Sequence, residues 1–149
     1  MENQTSSSAT SVKTGADNEG ELFEIVNEAN EPTYLAPRKR AHREGLPHRA
    51  THIFLFHDET GDVLLQRRSF KKNIGPGKWD LSCAEHNAPS ETYIQCAVRG
   101  LKEELGVSMK ENRLQEVREV FLNRAVYREG FVDCEYIGTF YGVIRSSDG

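Results

Sequence analysis

One stretch of this chain has the apolar period of a long helix, and almost everything around it reads as strand. In residues 90–107, SETYIQCAVRGLKEELGV, the side chains Tyr93, Ile94, Ala97, Val98, Leu101 and Leu105 recur at spacings of three and four, which sets them in one stripe along an α-helix. Ser90 stands where an N-cap belongs, and Glu91 suits the positive end of the helix dipole. Gly106 is the residue expected for a left-handed stop, with Val107 closing the apolar contact behind it. A lone amphipathic helix cannot bury its stripe by itself. It needs a sheet to pack on.

The flanking sequence supplies the strands. Residues 21–27, ELFEIVN, form a short strand before the turn NEANEP, and residues 34–46 read as basic and irregular. In residues 48–58, HRATHIFLFHD, apolar side chains fall on both faces, which predicts a central strand. DETGD is a turn, residues 63–68 return as its hairpin partner, and Gly75-Pro76-Gly77 marks a loop over residues 69–78. Residues 79–84, 114–127 and 132–145 are further strands. Strands, one helix, then strands predict an α/β (α+β) sandwich with a mixed sheet. The pattern ends at RSSDG without a second long helix. The second sheet face is therefore expected either to be covered by the sheet folding back, or to be bare because the chain is truncated and lacks a C-terminal strand and helix.

At 149 residues, with 37% hydrophobic and 28% charged residues, the chain has enough apolar surface for one domain, expected over residues 21–149. Residues 1–20 are rich in Ser, Thr and Asn and are expected to be a disordered tail. They carry one lysine against three acids and no apolar core, which argues against a transit peptide or secretory signal. Cys83, Cys96 and Cys134 fit no metal or disulfide spacing and point to a reducing, cytoplasmic setting. No apolar run reaches the ~20 residues of a membrane span, and a net charge of −4 argues against non-specific nucleic-acid binding. Oligomeric state is not readable from these features.

The helix ends in a paired carboxylate, Glu103-Glu104. The two lie about 100° apart on a helix. Arg99 and Glu103 form an i,i+4 pair, leaving Glu104 for a metal. Alone, such a pair reads as a solvated acidic face. The glycine stop, the upstream Glu91 and Arg99 change that reading, because together they resemble the Nudix box, G-x5-E-x7-R-E-U-x-E-E-x-G-U with U aliphatic. Glu91, Arg99, Leu101, Glu103, Glu104, Gly106 and Val107 match it. Glu85 stands in place of the first glycine, and Gly100 in place of the glutamate after the arginine.

The resemblance extends over about residues 21–145 and implies a Nudix-type α/β/α sandwich. It also implies a Mg²⁺- or Mn²⁺-dependent enzyme in which Glu103 and Glu104 hold metal, Arg99 orients Glu103, and water cleaves a small diphosphate-containing substrate, nucleoside-linked or isoprenoid-like. The segments AHREGLPHRATHIFLF, LLQRRS and GPGKWDLSCAEH are similar to the branch of that family containing isopentenyl diphosphate isomerase. In that branch the positions of His42, His48, His86, Asp133 and Glu135 bind a metal, and those of Arg68 and Lys72 contact diphosphate. Asp133 and Glu135 share a strand face, and three imidazoles with two carboxylates suit a divalent cation.

Neither activity has its full residue set. The isomerase cysteine falls at Ala84, and adjacent Cys83 points to the opposite face of its strand, as a buried small side chain would. Isomerases usually lack the glutamate at position 103. Hydrolases use the carboxylate at position 100 as a ligand or base, and losing a positioned base costs ~10²–10⁴-fold. Asp133, Glu135, Glu103 and Glu85 are all candidates to replace it. Three readings therefore stand: a diphosphate hydrolase, an isomerase-like enzyme, and a non-catalytic diphosphate-binding module. The basic loop (Arg67, Arg68, Lys71, Lys72 and Lys78) fits all three, and Trp79 is expected in the core.

Overall fold

The computed structural model describes residues 18–148; the predicted tail falls almost wholly outside them. The central sheet has four strands in the order β6 (Cys83–His86), β3 (His48–His57), β8 (Phe131–Ile144), β7 (Leu114–Arg128). β3 pairs parallel with β8 from His48↔Glu135 to His57↔Ile144, and antiparallel with β6 at Ala50↔His86 to Ile53↔Cys83. β3 is thus central, as its two-sided apolar pattern requires, and the sheet is mixed.

The long helix is α2 (Tyr93–Leu105). Its cap is Thr92 rather than Ser90. Thr92 Oγ1 accepts from Gln95 N at 3.2 Å, and Gln95 Oε1 accepts from Thr92 N at 3.0 Å, a reciprocal capping box. Ser90 instead adopts φ 64 in the turn before it. Gly106 ends the helix with φ 70 and donates to Leu101 and Lys102 carbonyls. Ala97 and Leu101 of the stripe are fully buried against Ile53, Leu55 and Cys83 on one sheet face. Each large side chain so buried contributes about 1.5–3 kcal/mol.

Residues 34–46 are not irregular. They complete the hairpin of β1 (Leu22–Val26) with β2 (Pro32–Pro37) and then form α1 (Arg38–Glu44). Their short length and lack of an apolar stripe hid both elements. Residues 63–68 pair with β3 only next to the turn, where Leu64 N donates to Leu55 O at 2.8 Å. Ser82 Oγ accepts from Leu55 N at 2.9 Å and donates to Leu64 O at 2.5 Å, so a side chain stands in the ladder. Only Val63 bridges to Phe56, and β4 (Gln66–Arg67) pairs with β5 (Trp79–Asp80).

The sheet face opposite α2 has two parts. At the His48 end, β1 and α1 cover it through Phe23 and His42. At the far end, Phe54, Phe56, Val117, Tyr141 and Val143 line an apolar patch, with Phe56 and Val143 more than a third exposed. No helix among the described residues is long and apolar enough to cross a membrane.

Candidate active site

Strand parity sorts the candidate residues onto two faces. His48, at the start of β3, and His86, at the end of β6, face β1 and α1. His42 comes from α1, Asp133 and Glu135 from β8. His48 Nε2 lies 3.4 Å from Asp133 Oδ1 and 3.8 Å from Glu135 Oε1. His42 Nε2 is 3.6 Å from Asp133 Oδ1, and His86 Nε2 is 3.4 Å from Glu135 Oε1. All five residues expected to share a centre therefore do meet. Donor atoms of His42, His48, His86 and Asp133 lie within 4.8 Å of one another.

The donor set fits a divalent cation on its own chemistry. His42 Nε2, His48 Nε2 and Asp133 Oδ1 are buried and make no hydrogen bond among the described residues, although buried polar atoms ordinarily find partners. His48 Nδ1 lies 2.9 Å from Leu46 O; a ring donating there through Nδ1 would turn its Nε2 lone pair to a cation if one were bound. Burial opposes ionisation of Asp133, but the imidazoles of His42 and His48 outweigh it and hold its carboxyl well below the usual range. Burial, and then the charge on Asp133, push Glu135 well above its usual range. A cation among them would favour ionisation of both.

The box residues lie on the other face. Arg99 is the hub. It forks onto Glu91 at 2.7 and 2.9 Å, donates to His86 O at 2.9 Å, and reaches Glu103 Oε2 at 3.1 Å. The expected Arg99–Glu103 pair is present, yet the tighter partner is Glu91, and that fork raises the guanidinium pKa further. Glu104 Oε2 accepts from Gln66 at 3.3 Å. The Arg99 bond to the His86 carbonyl ties the box helix to the strand carrying a histidine of the other cluster.

Arg68 donates through Nη1 to Asp80 Oδ2 at 2.9 Å and through Nε to Ile74 O at 2.9 Å, and Lys72 sits half-buried in the same loop. Trp79 is not in the core; it is 70% exposed. It pairs with Arg67 on the outer side of the β4–β5 hairpin, while its neighbour Asp80 turns to Arg68. Cys83 is buried under α2, away from the histidines, as strand parity predicts.

Two side chains, Phe23 at the histidine cluster and His52 farther along β3, escaped the sequence reading. Phe23 stacks on His48 with ring centroids 4.5 Å apart and lies equally close to His86. Its signal was an aromatic at a buried position of a short strand, indistinguishable from ordinary core. His52 shares the strand parity of His48, which the sequence did offer. Its Cα partners are Ala84 and Thr139, so it stands beside the position where an isomerase cysteine is expected. Burial lowers its pKa, with Asp80 and Asp133 opposing.

Similarity to known proteins extends over most of the chain. The profile of the NUDIX domain matches residues 46–147. Nudix hydrolase 3 of Arabidopsis thaliana is 37% identical over 118 residues, which is 78% of this chain and 15% of that protein. Two isopentenyl-diphosphate Delta-isomerases are also similar. That of Streptomyces avermitilis is 37% identical over 84% of this chain and 62% of its own length. That of Streptomyces coelicolor is 35% identical over 95% of this chain and 71% of its own length. The chain thus spans less than two thirds of the first two relatives. DR0079 from Deinococcus radiodurans shares the fold, with a TM-score of 0.61 and 22% identity over 83% of this chain and 72% of that one. With the domain profile covering more than two thirds of its residues, the chain belongs to the Nudix family.

Proposed function

We propose that this chain is a divalent-metal-dependent hydrolase of a small diphosphate-containing substrate, using Mg²⁺ or Mn²⁺. The observation that carries the reading is Arg99. It holds Glu103 beside Glu104 at the acidic end of α2 and ties that helix to the His86 backbone. A cation held there offsets phosphate charge and makes water a better nucleophile at neutral pH. Glu103 and Glu104 bind it, Arg99 keeps Glu103 in place, and Arg68 and Lys72 meet the phosphate oxygens, arginine as a planar fork and lysine as a point charge. His42, His48, His86, Asp133 and Glu135 hold a second ion. Incubation with a panel of diphosphate compounds and Mg²⁺ or Mn²⁺ tests this. Turnover that Glu104→Gln abolishes is expected; no turnover, or turnover indifferent to Glu104→Gln, removes it.

The five-residue cluster also favours a second reading, an isomerase acting on isopentenyl diphosphate. Ala84 lacks a proton-carrying side chain, and His52 across the ladder and His86 two residues along β6 are ionisable neighbours on that face. Label exchange between the two isomeric diphosphates decides it: exchange supports an isomerase, and its absence leaves hydrolysis.

A further inference from the structure

The two departures from the box pattern meet in space. Gly100 is buried on α2, and Glu85, only 9% exposed, lies on the α2 side of β6. A Cβ built on Gly100 falls 3.2 Å from Glu85 Cβ, 3.5 Å from Glu85 Cγ and 3.3 Å from Cys83 Sγ. Carbon atoms in good contact sit about 3.5–4.0 Å apart, so a side chain at position 100 would crowd the Glu85 stem, which would have to give by a few tenths of an ångström. The stem of Glu85 already occupies the space that a side chain on residue 100 would enter.

Its carboxylate also reaches the acidic end of the helix. Glu85 Oε2 is 3.8 Å from Arg99 Nη1, and the same nitrogen lies 3.1 Å from Glu103 Oε2. One guanidinium nitrogen thus faces both carboxylates. Residues 100, 103 and 104 belong to adjacent turns on one side of α2, so the acid arriving from β6 shares that side of the helix, with Arg99 Nη1 between it and Glu103. Filling a gap over a glycine needs only a small apolar side chain. A carboxylate buried to this degree is costly unless it is paired or ligating.

We infer that the box carboxylate has moved from helix to strand: Glu85 supplies the metal-facing oxygen that the pattern draws from residue 100, and Glu85 with Gly100 is a reciprocal exchange. The inference rests on the metal-site part of the reading above, and deepens it by assigning a third ligand. A narrower role for Glu85, as a counter-ion of Arg99 only, is separated by the test below.

The test is a cycle of Glu85→Gly, Gly100→Glu and the double variant, with Glu85→Gln as a shape-preserving control. Mg²⁺, a hard ion that prefers oxygen ligands over imidazole, is titrated calorimetrically in the presence of methylenediphosphonate, and melting of the metal-free proteins is followed in parallel. Glu85→Gly and Glu85→Gln are expected to weaken Mg²⁺ binding by at least the ~10–100-fold seen when even outer-shell partners of a metal are lost. Gly100→Glu alone is expected to lower the melting temperature, because two carboxylates are forced into one space. The double variant is expected to recover Mg²⁺ affinity and melting temperature together. Full Mg²⁺ affinity in Glu85→Gln, or a double variant no better than its worse single, overturns the exchange. If the cycle closes as expected and the natural protein hydrolyses no diphosphate, the exchange stands and the hydrolase reading falls. If the protein hydrolyses diphosphates and the cycle fails, the reverse holds.

Discussion

Removing Arg99 should destabilise the protein in a way that pH can partly undo. The guanidinium is 29% exposed, while the side chains of Glu91 and Glu85 are 13% and 8% exposed. Arg99→Ala leaves both acids without their cation and strips a donor from the His86 carbonyl. Breaking a buried pair from one side costs ~3–5 kcal/mol. The partial exposure of Arg99 puts this case near the low end, about 3 kcal/mol. At about 2–4 °C per kcal/mol for a domain of this size, the melting temperature should fall by about 6–12 °C near neutral pH. In the native protein, burial pushes the Glu91 carboxyl up, but the Arg99 hydrogen bond and the Ala88 N–H pull it below its ordinary value. That contribution is complete above the unfolded carboxylate pKa, about 4.3, and is lost as pH falls through the folded value. Without Arg99 burial is opposed by the Ala88 N–H and the Cys96 thiol alone, the carboxyl rises, and the penalty is relieved as it protonates. The gap between the proteins should therefore narrow from neutral pH toward about pH 4. Calorimetric melts in chelator across that range measure it. A gap below about 2 °C at neutral pH, or one that stays constant as pH falls, would refute the hub assignment.

Two further outcomes are expected. The His86 ring is held well below the ordinary histidine range by burial, then by His48 and Arg38, with Asp133 opposing; in histidine-edited NMR of the metal-free protein its signal should not titrate between about pH 7.5 and about pH 6, and a midpoint near 6.5 would contradict the geometry. Thr92→Ala removes the capping box at the far end of α2 from Glu103 and Glu104, so it should cost about 1 kcal/mol and lower the melting temperature by about 2–4 °C while Mg²⁺ affinity is retained. A large loss of affinity would show that the helix start positions the acids.

The sequence was most informative where periodicity is local. The stripe of α2, its Gly106 stop and the shared parity of Asp133 and Glu135 need only counting, and all appear in the structure. The cap was legible too, since Thr92 with Gln95 fits the reciprocal pattern and Ser90 with Tyr93 does not. What stayed hidden depends on partners far along the chain. Nothing local says that Ser82 would interrupt the β3 ladder, that Trp79 would face outward, or that Glu85 would lie over Gly100 fifteen positions away. The seven-residue α1 has too few turns to show a period.

The parallel β3–β8 ladder begins at the His48↔Glu135 pair and runs for ten registered positions beyond α1. Two of the donors at the histidine cluster are therefore positioned by main-chain bonding between segments almost ninety residues apart, before any ion arrives. An ion there would act as a late-fitted rivet: a chelator should be able to strip it and leave the architecture standing, and a nascent polypeptide should have no grip on it until β8 has docked.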